Sequence, residues 1–152
     1  MIIALDQYEL LLHAGPLSIL EQFTQHKRHA PEAGGIILGK LIHGQINILK
    51  LSVPTDLDRS SRMNFERNKL SAQIILDYEF YNSGGQLIYL GEWHTHPESF
   101  PSPSSVDLHM LKHQFSHNKL NTDFLILLIK GTKGLYIRII NKNGYKELEL
   151  TL

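Results

Sequence analysis

Two histidines stand one residue apart at His94 and His96, and a serine and an aspartate follow at Ser104 and Asp107. Alternate side chains of a strand point the same way. His94 and His96 can therefore share one ion, provided the apolar run QLIYL before them continues as a strand. Two neutral imidazoles and one carboxylate, with a fourth position open, describe a catalytic zinc site rather than a closed structural one. Asp107 is a suitable carboxylate, in the first turn of the helix expected from Ser104 onward. Such a site would lower the pKa of a coordinated water from about 15.7 to roughly 7 and supply hydroxide near neutrality.

The same residues have a plainer reading. The chain holds nine histidines, so an H-x-H pair alone carries little weight. Ser104 with Asp107 three residues on also has the form of a capping box, with the serine as N-cap after a loop holding Pro97, Pro101 and Pro103. The readings are compatible, because a cap fixes the side chains that a metal site needs fixed. Trp93 should face away from His94 into the core. Of the acids near the pair, Glu98 falls in the loop, Glu92 precedes the ligands, and Glu32 reads on its own as a solvated loop acid.

The elements around these residues follow from pattern. Residues 1–6 read as a strand running into a helix from Pro16 to Arg28. Residues 34–53 hold two β-rich runs around His43-Gly44-Gln45, which predicts a hairpin. Residues 54–61 are rich in turn formers, and RMNFER suggests a short strand. Residues 69–82 predict a helix with Leu70, Ile74, Ile75 and Tyr78 on one face. QLIYLGEWHTH is apolar enough for a central strand. A helix from Ser104 to about Lys119 follows, then strands in DFLILLIK, LYIRII and YKELELTL. This order predicts an α+β protein with one mixed β-sheet flanked by helices.

Composition narrows the function. The 152 residues suit one domain, and 42% hydrophobic residues suffice for a core. Fifteen basic residues balance fifteen acidic ones, so no charge excess points to nucleic acid. Cysteine is absent, which excludes disulfides, thiolate zinc cages and a cysteine nucleophile. The N-terminal run has no basic leader and no long apolar span, so a cytoplasmic protein without a membrane partner is expected.

His94-Thr95-His96-Pro97 followed by Ser104-x-x-Asp107 resembles the H-x-H-P…S-x-x-D signature of the JAMM (JAB/MPN) zinc metallopeptidases. That family also carries a glutamate upstream near the start of a strand, where APEAGGIILGK places Glu32. The resemblance implies the cytidine-deaminase-like MPN/JAB fold over residues 1–152. It implies one zinc ion (Zn2+) per chain on His94, His96 and Asp107, with water as fourth ligand. Glu32 would carry a proton from that water to the leaving amine, and Ser104 would donate a hydrogen bond to the oxyanion.

HAPEAGGIILGK, DRSSRMNFER and YLGEWHTHPESFPSPSSVDL further resemble a bacterial branch of the family. Its members are encoded beside activating- and conjugating-enzyme-like proteins in anti-phage operons of the CBASS type. There they act as deubiquitinase-like isopeptidases, removing conjugates made on the C-terminal tail of a nucleotidyltransferase. The alternatives are a protease for a ubiquitin-like protein or sulfur carrier, and a catalytically silent MPN scaffold. His109, His113 and His117 fall on one helical face and read as surface residues. A structural zinc site found near that place in some relatives also needs a cysteine. Arg59, Arg62 and Arg67 could meet an acidic partner, although solvated charge is their ordinary role.

Overall fold

The computed structural model describes residues 1–152. Its frame is one eight-stranded sheet in the order β1-β2-β4-β3-β7-β8-β9-β10. The strands are β1 (Ile2–Leu5), β2 (Tyr8–Leu12), β3 (Gly34–Ile42), β4 (Gln45–Leu51), β7 (Ile88–Thr95), β8 (Phe124–Lys130), β9 (Gly134–Asn141) and β10 (Gly144–Thr151). A separate small hairpin joins β5 (Arg59–Ser61) to β6 (Asn64–Glu66). The helices are α1 (Ala14–Gln22), α2 (Lys69–Asn82) and α3 (Ser105–His117). Pairs β2/β4 and β7/β8 are parallel and the rest antiparallel, so the sheet is mixed as expected.

The two sheet faces bury different clusters. On one, α1 lays Leu17, Leu20 and Phe23 over Leu90, Trp93, Ile126 and Leu128. On the other, α3 covers Leu125, Leu127 and Ile129 with Leu111, while α2 covers Ile36 and Leu38 with Ala72. Every residue of β8 is buried, as its unbroken apolar run requires of a strand covered on both faces. The edges curl toward one another, and Asn141 Nδ2 donates to Tyr8 Oη across them at 2.7 Å.

Three local expectations need correction. Residues 8–12 form a strand instead of leading into a helix, because Asp6 takes a positive φ and turns the chain back on β1. Helix α1 starts at Ala14 and stops at Gln22, not Arg28. Beyond it the buried Gln25 side chain donates to the carbonyls of Ala30 and Arg62 and holds an irregular segment. Helix α2 spans the expected residues but turns a different face inward. Leu70, Ile74 and Tyr78 are 70%, 60% and 65% exposed, while small Ala72 lets the helix sit close to the sheet, with Ile75 and Leu76 beside it. The β3–β4 hairpin turns at His43 and Gly44, both at positive φ, as a two-residue primed turn demands.

Candidate metal centre and its acid–base residues

The direction of the histidines depends on a defect in β7. Ile37 and Leu38 of β3 are adjacent, yet they pair with Gly91 and Tyr89, so β7 carries one extra residue. Gly91 sits at φ 153°, where an added Cβ would lie 1.9 Å from the Ile126 carbonyl oxygen. Only glycine fits this bulge. The extra residue shifts the alternation by one. Leu90 and Trp93 therefore share the α1 face, while Tyr89, Glu92 and His94 share the face of α2 and α3. Trp93 is core, as expected, with its indole N–H on the Ser52 carbonyl.

At the end of β7, His94 Nε2 and His96 Nε2 stand 3.2 Å apart. Asp107 reaches them from the first turn of α3, with Oδ1 3.3 Å from His94 Nε2 and Oδ2 3.5 Å from His96 Nε2. Ligand atoms 2.0–2.2 Å from one ion, arranged tetrahedrally, stand roughly 3.3–3.6 Å apart. The three donors thus have the spacing and chemistry of a three-ligand zinc site, and they line an open cleft of about 340 Å³.

Glu32 approaches from the other side. The Ala33 carbonyl accepts from the Thr95 amide at 2.8 Å, and the Thr95 hydroxyl accepts from the Ala33 amide at 3.0 Å. The Glu32 amide donates to the Ser61 carbonyl of β5 at 2.7 Å. Gly34 lets this corner close, since a Cβ there would meet the Phe65 ring at 2.5 Å. Glu32 is 6% exposed, with Oε1 4.0 Å from His96 Nε2. Burial pushes its carboxyl up to about 7; His96 opposes the rise, and Asp107 and Glu98 add to it.

Ser104 caps α3 as the sequence indicates. Its Oγ accepts from the Asp107 amide at 3.1 Å, and Asp107 Oδ2 accepts from the Ser104 amide at 2.7 Å. The Ser104 hydroxyl also donates to Oδ2 at 2.7 Å, which leaves Oδ1 as the freer ligand atom. To serve a substrate oxygen, this hydroxyl must turn from Asp107. Burial pushes the Asp107 carboxyl up, but hydrogen bonds from His94, His96 and Ser104 outweigh it and hold the group well below the usual carboxylate range. His96 is raised: burial pulls it down, and Asp107, Glu32 and Glu98 more than reverse that.

Other sequence candidates fall outside this cluster. His113 and His117 stack with ring centroids 4.2 Å apart on α3, both exposed. Arg59 and Arg62 are exposed, whereas Arg67 makes a two-pronged pair with Glu92 at 2.9 and 2.8 Å. A larger cavity of about 500 Å³ between α2 and α3 contains no carboxylate or second metal cluster. Sequence reasoning passed over Glu98, whose Oε2 lies 3.2 Å from His96 Nδ1 without hydrogen-bond alignment. Its position two residues after a candidate ligand histidine was the available signal. No helix is long and apolar enough to cross a membrane.

Known proteins resemble this chain over most of its length. It is 34% identical to a Pseudomonas aeruginosa (strain BWHPSA011 / Pa011) protein named CD-NTase/cGAS isopeptidase, covering 93% of this chain and 90% of that one. A protein of the same name from Escherichia coli (strain TW11681) is 33% identical, over 86% of this chain and 81% of its own. Another, from Vibrio cholerae serotype O1 (strain ATCC 39315 / El Tor Inaba N16961), is 31% identical over 86% and 78%. The solution structure of a Desulfitobacterium hafniense protein superposes with a TM-score of 0.62 at 19% identity, covering 91% of this chain and 89% of that one, and shares the fold. Residues 17–145 match the model for prokaryotic homologs of the JAB domain, so the chain belongs to that family.

Proposed function

We propose that this protein is a zinc-dependent isopeptidase that releases a CD-NTase-like nucleotidyltransferase, joined through its extended C-terminal tail, from target proteins in CBASS-type anti-phage defence. It works in the cytoplasm, in one pathway with activating- and conjugating-enzyme-like proteins. The observation that carries the reading is the convergence of His94, His96 and Asp107 opposite the buried carboxylate of Glu32. The names of the three curated relatives support the substrate class.

In this reading His94, His96 and Asp107 hold the zinc. Zinc bound there supplies Lewis acidity toward the scissile carbonyl and makes water acidic enough to react near neutral pH. Glu32 takes the proton of the attacking water and passes it to the departing lysine amine. A nearby cation lowers a carboxylate's pKa, and burial of Glu32 offsets this, keeping it able to both accept and release a proton. Ser104 turns its hydroxyl from Asp107 to the carbonyl oxygen as charge develops there. The β5–β6 hairpin, carrying Met63 and Phe65, and the start of α3, carrying Val106, form the two walls between which the tail lies.

The test is cleavage of a nucleotidyltransferase-tail–lysine conjugate by the wild type and by Glu32→Gln, with zinc content measured on both. Wild type should cleave, and the variant should keep zinc and lose cleavage. A zinc-loaded wild type that binds the conjugate without cleaving it would sink the enzyme reading in favour of a silent scaffold.

A further inference from the structure

We propose that Glu98 is a positioning residue for His96: its carboxylate accepts the Nδ1–H of that ring and fixes the tautomer and ring angle that present Nε2 to the metal. The inference rests on the metal-site reading above and extends it to a residue outside the ligand set. His96 is nine-tenths buried, and its Nδ1 is the one buried side-chain polar atom in the molecule without an aligned hydrogen bond. Of the carboxylates within 4.0 Å of the ring, Glu32 and Asp107 meet Nε2, and only Glu98 meets Nδ1, at 3.2 Å. A ligating imidazole usually donates its other N–H to such an acceptor, which sets which nitrogen is free for the metal.

The backbone makes the approach a built one. The His96 amide donates to the Lys130 carbonyl at 2.9 Å. Two residues on, the Glu98 carbonyl accepts from Thr132 at 2.8 Å, and that of Ser99 accepts from Lys133 at 2.9 Å. Ring and carboxylate therefore hang on the same turn between β8 and β9. Gly131 allows it, since a Cβ there would lie 2.7 Å from the Glu98 carbonyl oxygen and 2.6 Å from Pro101 Cδ. The Glu98 side chain itself is 51% exposed, which leaves it free to change rotamer toward an aligned bond.

The experiment is a chelator competition that measures zinc affinity of wild type, Glu98→Ala and Glu98→Gln at neutral pH. Glu98→Ala should weaken zinc about 10–100-fold. Glu98→Gln should keep most of the affinity, because an amide oxygen still accepts from Nδ1–H. The metal-free Tm and the amide signals of Thr132 and Lys133 should stay in place in both, which separates aiming of the ring from collapse of the loop. In zinc-loaded wild type, ¹⁵N spectra should place the His96 proton on Nδ1. Unchanged affinity in Glu98→Ala, equal losses in both variants, or a proton on Nε2 would overturn the proposal. A wild type that binds no zinc would overturn the metal-site reading itself, and the titration shows this before any variant is made.

Discussion

The two ends of the cleft treat a carboxylate in opposite ways. At the start of α3, Asp107 is surrounded by donors: the Ser104 amide and hydroxyl and the two histidines. At the start of β3, Glu32 has its amide on the Ser61 carbonyl and its neighbour Ala33 tied to Thr95, but its carboxyl lies in a buried corner closed by Gly34 and Phe65. One acid is held ionised and the other is pushed toward neutrality. In the proposed reading, divergent environments of this kind separate a fixed ligand from a proton carrier, although both side chains end in the same group. The difference lies in the backbone around each acid.

That contrast can be broken from either end. The largest effect should come from Asp107→Asn, which removes a ligand charge: zinc should be lost on dialysis, measured by elemental analysis, and cleavage should disappear with it. Next is Glu32→Gln, which should retain about one zinc per chain while kcat falls about 10²–10⁴-fold, the usual scale for a general acid–base group. Loss of zinc in that variant would put Glu32 among the ligands and erase the distinction. Ser104→Ala touches the donor shell of Asp107. It should cost about 1 kcal/mol through the lost cap, seen as a Tm lower by roughly 2–4 °C, together with a drop in kcat at saturating zinc.

The smallest effect concerns stability and pH in metal-free protein. Glu32 binds its proton more tightly folded, at about 7, than at its ordinary value of 4.5. Between those values the native state holds the extra proton, so stability falls as pH rises through the window. Glu32→Gln should remove that slope. Its Tm should match wild type at pH 4 and exceed it by a few degrees at pH 8, read by thermal melts with chelator present. Equal differences at both pH values would mean that Glu32 is solvated after all.

Much of the site was legible because its determinants are local. An H-x-H on a strand, a serine cap and an aspartate one turn on each depend on neighbours in sequence, and so did the strands from β7 to β10. Glu32 was different. Its own surroundings read as a loop, and what brings it to the cleft is the tie between its neighbour Ala33 and Thr95, 62 residues away; only the family resemblance pointed to it. The inner face of α2 was misread for a related reason. Leu70, Ile74 and Tyr78 are the larger side chains, but close approach to the sheet favours small Ala72. Periodicity shows that a helix has a stripe, not which of two stripes its neighbours can accept.

The extra residue of β7 gives this strand a parity rule. Removing one residue near Gly91, or relaxing the bulge into regular pairing, would exchange inside for outside along everything after it. Trp93 would be turned toward the cleft, and His94 and His96 would be driven in among Leu20, Phe23 and Ile126. Every residue of the signature would still be present in the sequence, and the site would be gone. Length changes in this strand can therefore be tolerated only in pairs, and a scan of single-residue deletions should find a sharper boundary here than at any loop.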